Sequence, residues 1–196
     1  MGDRGATVPR TVQPAHSVSS PDPISEPKAY QDHLVGLVGD DDPVDVQAAT
    51  PAAVRDLLAR AGARASVRPQ SGEWSVVECI AHILDAELVS SARYRWILAH
   101  DEPPLVGYDQ DRWVDRLHSP PEDAAEMLAL FEALRHANLG LWGRTPIVDR
   151  ERVGIHAERG PESYGLTFTL IAGHDRFHLA QAERALAAIQ NGARMA

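Results

Sequence analysis

Residues 26–192 predict an all-α fold, a four-helix bundle, behind a disordered N-terminal tail at 1–25. Three observations lead there. Apolar residues recur at helical spacing in four long segments. No segment shows convincing strand alternation. The segments are separated by stretches rich in proline and glycine, one long enough for the crossover that some bundles carry.

The tail combines prolines and serines with few large apolar residues, so it cannot bury enough surface to offset its ordering entropy. Tyr30, Leu34, Leu37 and Val38 predict a short amphipathic helix over 28–38. Gly39-Asp40-Asp41-Asp42-Pro43 ends it as a solvated turn, because the ligand spacing of a calcium loop is absent. The first bundle helix is expected from Thr50-Pro51, with stripe Val54, Leu57, Leu58 and Ala61 and closing residue Gly62. The second starts at the capping box Ser75-x-x-Glu78 and runs through Ile80, Ile83 and Leu84 to about His100. Glu102-Pro103-Pro104 stops it, and residues 102–119 read as a connection containing Tyr108 and Trp113. Pro120-Pro121-Glu122-Asp123 opens the third helix, whose stripe is Met127, Leu130, Phe131, Leu134 and Leu141. Residues 143–163 read as irregular. The fourth helix covers about 164–190, with stripe Ile171, His174, His178, Ala182, Ala185 and Ile189.

Composition narrows the partners. The chain is 44% hydrophobic and 24% charged, with net charge −9 and so no basic face to neutralise phosphates. Nucleic acid and anionic membranes are poor partners. The one cysteine, Cys79, allows no disulfide within the chain, which fits a reducing compartment. The N-terminus has no apolar core of a secretory signal, and no apolar run approaches the ~20 residues of a membrane span. The expected location is the cytoplasm.

The informative motif is His174-Asp175-Arg176-Phe177-His178. Histidines four apart project from one helix face, one turn apart, close enough to share a metal. Their face is the apolar one. A buried imidazole needs partners, and two charged ones would repel; a metal answers both needs by binding neutral rings. The pair alone is a common spacing. His82 shares a face with Cys79, Ala86 and Val89, which is the bundle interior. Alone it reads as a core histidine satisfied by a carbonyl or an acid. Three interior histidines in one small bundle favour a shared ion. His33, His100, His118 and His136 read as surface residues, and His156 as a minor candidate for a pocket.

Gly72-Glu73-Trp74-Ser75-Val76-Val77-Glu78 with Ala81-His82, and His174-Asp175-x-x-His178-Leu179-Ala180-Gln181, resemble two segments of the DinB-like, YfiT-type bundle family. The resemblance covers about 28–190. It implies up-down-down-up topology and a divalent metal held by His82, His174 and His178; imidazole donors suit zinc or nickel. Family members include bacillithiol S-transferases, mycothiol-dependent isomerases and many proteins without known activity. Three nitrogen ligands leave open positions, as in catalytic sites. The expected function is therefore a metal-dependent thiol S-transferase, or a related hydrolase or isomerase. Its partners would be a low-molecular-weight thiol such as mycothiol and a small electrophile.

Asp85 and Asp175 could orient a ligand imidazole or be solvated helix acids. Gln181 could bond a water on the metal or fill the bundle end. Cys79 could be a ligand or nucleophile, though small buried cysteines usually pack. Arg93, Tyr94 and Trp96 could line a pocket mouth, and Trp74 could staple the second helix. No catalytic residue is assigned. Two competing readings remain: a non-catalytic, metal-binding stress-response bundle that binds a ligand or partner, and a metal-free dimerisation bundle. A homodimer is compatible with all three.

Overall fold

A computed structural model describes residues 21–22, 25–119 and 121–195, so most of the expected tail lies outside the described residues. Among the described residues, six α-helices and three short strands carry the fold: α1 Pro27–Val38, α2 Pro43–Ala61, α3 Val76–Ala99, β1 Pro104–Leu105, α4 Gln110–Leu117, α5 Ala124–Arg144, β2 Val153–His156, β3 Gly160–Ser163 and α6 Tyr164–Met195.

The four long helices α2, α3, α5 and α6 form the bundle, and side-chain pairs give their directions. Gln47 reaches Phe168, Thr50 reaches Asp175 and Arg60 reaches Glu183, so α2 and α6 run parallel. His82 meets His174 while Tyr94 meets Tyr164, so α3 and α6 are antiparallel. Arg135 meets Glu87 while Asn138 meets Ser91, so α3 and α5 are parallel. The topology is up-down-down-up. Val54, Leu57, Ile80, Ile83, Phe131 and Leu186 pack one end of the core. Tyr94, Ile97, Tyr164 and Phe168 pack the other.

The sequence expectations fail at three connections. α2 begins at Pro43, about two turns before Thr50. Asp42, expected in a solvated turn, accepts the Val44 amide at 2.8 Å and caps the helix, with Pro43 in the first turn. Pro51 therefore sits inside α2. It has no N–H to offer the Gln47 carbonyl one turn back. That carbonyl instead takes the Arg135 Nη1 at 2.9 Å. The connection after α3 holds α4, capped by Asp109 on the Arg112 amide. The irregular stretch before α6 holds a β-hairpin, and β1 adds to it in parallel, giving the order β1-β2-β3. These strands have two to four residues, too few for alternation to register. Pro161 is tolerated because β3 is an edge strand.

α1 lies against α6. A Cβ at Gly173 would collide with the Leu34 carbonyl oxygen, so only glycine lets α1 approach next to His174. Among the described residues no helix is long and apolar enough to cross a membrane.

Candidate metal centre

The N-terminus of α3 is fixed before His82 is placed. Ser75 Oγ accepts the Glu78 amide at 3.3 Å, and Glu78 accepts the Ser75 amide at 2.8 Å, completing the capping box. Arg68 pairs with Glu78 at 2.6 Å. Burial alone would raise the Glu78 pKa; the bonds from Arg68 and Ser75 outweigh it and hold the carboxyl low. Trp74, the residue before the cap, does more than staple. Its ring lies 5.2 Å from the His82 ring and stacks on His178 at 5.9 Å, forming a wall of the site.

His82 projects from α3, and His174 and His178 from consecutive turns of α6. They are 1%, 7% and 2% exposed. One nitrogen of each lies within 4.8 Å of those of the other two. His82 Nε2 and His174 Nε2 are 2.9 Å apart. Nitrogens sharing a tetrahedral ion at about 2.0–2.1 Å stand about 3.3 Å apart. The observed pair is slightly closer, as a single N–H···N bond requires.

Burial lowers the His82 pKa well below its ordinary value, with His178, His174 and His118 adding to the effect. Burial lowers that of His174 too, followed by His178, Arg135 and Arg159. Both rings are therefore neutral, the form in which imidazole binds a metal. His178 Nδ1 is 2.9 Å from Gln181 Oε1. Donation to that oxygen leaves His178 Nε2 with its lone pair. Gln181 is thus held against one ring of the trio.

The two acids predicted for that task are engaged elsewhere. Asp175 accepts from Arg135 Nη1 at 2.5 Å and from Thr50 Oγ1 at 2.8 Å. Asp85 lies 2.9 Å from His118 Nε2. The Nδ1 atoms of His82 and His174 have no hydrogen-bond partner among the described residues. Cys79 is not in the cluster; it packs in the core, where burial pushes its thiol up. Arg93 and Tyr94 are buried, and only Trp96 is exposed.

Sequence reasoning missed the burial of His118 and Arg135, and gave His156 only as a minor pocket candidate. His118, expected at the surface, is buried against Asp85. Arg135 is buried between Glu87 and Asp175 at 2.9 and 2.5 Å. Burial would lower its pKa, but the two carboxylates outweigh that and raise it. His156, on β2, is buried beside Arg93. His100 and His136 are exposed as expected, and His33 is half-buried.

A family model described as the DinB superfamily matches residues 44–182. The chain belongs to the DinB superfamily. That match spans all four bundle helices up to residue 182 and contains all three histidines. A protein of Oceanobacillus iheyensis, named provisionally as a metal-dependent hydrolase, is 29% identical over 57% of this chain and 64% of its own length. A Bacillus cereus protein given the same provisional name is 26% identical over 56% of this chain and 62% of its own. The chain thus spans less than two thirds of the length of these relatives. Among solved structures, YfiT from Bacillus subtilis superposes with a TM-score of 0.67 over 92% of both chains, at 19% identity. Its four-helix bundle is described as unusual in topology. The likeness at that identity establishes the shared fold of this DinB-superfamily chain.

Proposed function

We propose that His82, His174 and His178 hold one divalent metal ion, zinc or nickel, and that the chain is a metal-dependent enzyme of the hydrolase or thiol-transferase kind. The observation that carries the reading is the convergence of three buried imidazoles from two helices, one nitrogen of each within 4.8 Å of the others. The donor set fits the ion: imidazole suits zinc and nickel, and burial keeps the rings of His82 and His174 neutral. The provisional names of the relatives point the same way.

A metal with three protein ligands and an open position supplies Lewis acidity and a nucleophile near neutral pH. The chain's own residues do the rest. Gln181 fixes the His178 ring through Nδ1. Trp74 covers His82 and His178 and keeps water from their flank. Tyr108, with its ring 6.2 Å from that of His82, faces the same centre from the α3–α4 connection. A low-molecular-weight thiol such as mycothiol is the co-substrate we assign, with a small electrophile as acceptor.

Elemental analysis of protein purified without a histidine tag should find one zinc or nickel per chain. The single variants His82→Ala, His174→Ala and His178→Ala should lose it. Thiol consumption with a model electrophile should follow metal content across the series. A His82→Ala variant as active as the parent would end the metal-centred reading. Full metal occupancy without thiol consumption or hydrolysis would favour a binding protein.

A further inference from the structure

Arg93 is 7% exposed, yet it forms no ion pair among the described residues. Its Nη2 donates to the Val106 carbonyl at 2.5 Å and stands 3.1 Å from His156 Nε2. Its Nε is buried with no partner. The nearby carboxylate, Glu162, is committed to others. Glu162 takes Arg159 Nε at 2.5 Å, Arg159 Nη2 at 3.2 Å and Gln31 Nε2 at 2.7 Å. Among the less exposed groups, Arg93, Arg159 and Glu162, one positive charge is therefore in excess; the Glu158 carboxylate, which lies over Gly107, belongs to an exposed residue.

Donors are in excess as well. His156 Nδ1 receives the amides of Glu158 at 3.2 Å and Arg159 at 3.4 Å. That places the lone pair on Nδ1 and the proton on Nε2. The Nε2–H then faces the Nη2 of Arg93, donor against donor. Burial, then Arg159 and Arg93, lower the His156 pKa to about 4, so its proton count does not change near neutral pH. A buried cation without an anion is costly, and facing donors add to that cost. One group relieves both: an oxyanion accepting from His156 Nε2 and from the guanidinium together.

We propose that Arg93 and His156, with Arg159 beside them, form a receptor for the carboxylate of a small-molecule substrate. The planar guanidinium edge, with Nε still available, matches two carboxylate oxygens. Tyr108 links the receptor to the histidines: its ring is 6.2 Å from the His82 ring, and the carbonyl that Arg93 holds belongs to Val106, two residues before it. The receptor's use as a substrate anchor rests on the function proposed above; its affinity for a carboxylate does not.

The test uses the full chain stripped of metal, with malonate as probe in a buffer free of other carboxylates, read by calorimetric titration and thermal melting. Malonate should bind saturably and raise the melting temperature. Arg93→Met should weaken binding about tenfold or more, since a charge-assisted bond is lost. Without anion, Arg93→Met should melt at or above the parent, because it removes an unpaired buried cation. Arg93→Lys keeps the charge but not the fork, and should also bind about tenfold more weakly. If Arg93→Met does not fold, Arg93→Lys decides. No saturable binding, equal binding by parent and variants, or binding of inorganic phosphate but not malonate would overturn the receptor. Metal is absent throughout, so failure here leaves the histidine centre untouched, and failure of metal binding leaves the receptor untouched.

Discussion

Gln181 offers a test of the histidine centre that removes no ligand. It touches His178 Nδ1 at 2.9 Å from the next turn of α6 and is only half-buried, so its loss leaves the core intact. A ligand imidazole with its second nitrogen bonded is oriented and more basic. Gln181→Ala should therefore weaken zinc binding about 10–100-fold, measured by competition with a chromogenic chelator, with an unchanged melting temperature for the metal-free protein. Equal zinc affinity in both proteins would remove Gln181 from the site. At this scale the three histidines were legible as candidates: spacing gave a pair four apart on an apolar face and a third interior ring, and the resemblance to the DinB-like family joined them as one ligand set. Arg135 and His118 were not, and Arg93 and His156 were legible only as candidates to line a pocket. Charged and titratable side chains read as surface unless a partner is known, and their partners are distant in sequence: Arg135 lies 48 residues from Glu87 and 40 from Asp175.

At the scale of elements, Pro51 and Arg135 form one device. The proline frees a carbonyl in the second turn of α2, and a cation from α5 takes it up while pairing with α3 and α6. One guanidinium thus ties together all four bundle helices. Removing it should be severe, because Glu87 and Asp175 would remain buried without their cation. Arg135→Met should cost about 3–5 kcal/mol in urea unfolding. Adding Glu87→Gln and Asp175→Asn should recover part of that loss. A cost under about 1 kcal/mol for the single variant would show that the pair is readily hydrated, not sealed in the core. The same device explains why α2 was placed late: Thr50-Pro51 has the form of a helix start, and only a tertiary partner lets the helix run through it. The long helices were legible from their stripes and from the capping box of α3. The strands were not, because pairing with other segments, not their own pattern, makes them strands.

Across the whole molecule, buried ionisable groups predict how stability changes with acid. His156 is held at about 4 against an ordinary 6.5. The unfolded chain takes up that proton near pH 6.5, whereas the folded chain resists until about pH 4. Between those values the unfolded state binds more protons, so stability falls as the pH drops. His82 and His174, lowered by burial, act in the same sense in metal-free protein. Glu78 and Glu162 are held below their ordinary 4.5, so their contribution is present above that value and is lost as pH falls through the folded value. Asp85 opposes them. Burial raises its carboxyl above the ordinary 3.8, so its contribution is complete below that value and is lost as pH rises through the folded value. One opposing acid does not cancel three depressed histidines, so the melting temperature of the metal-free protein should fall steadily from pH 6.5 to 4. His156→Asn removes one of the three. Its melting temperature should fall less across that window while running parallel to the parent above pH 7. The scans belong in carboxylate-free buffers, because an anion bound beside Arg93 would stabilise the parent selectively. Parallel curves for parent and His156→Asn from pH 7 to 4 would mean that the ring takes its proton as readily folded as unfolded, and the donor-against-donor arrangement at Arg93 would then be wrong.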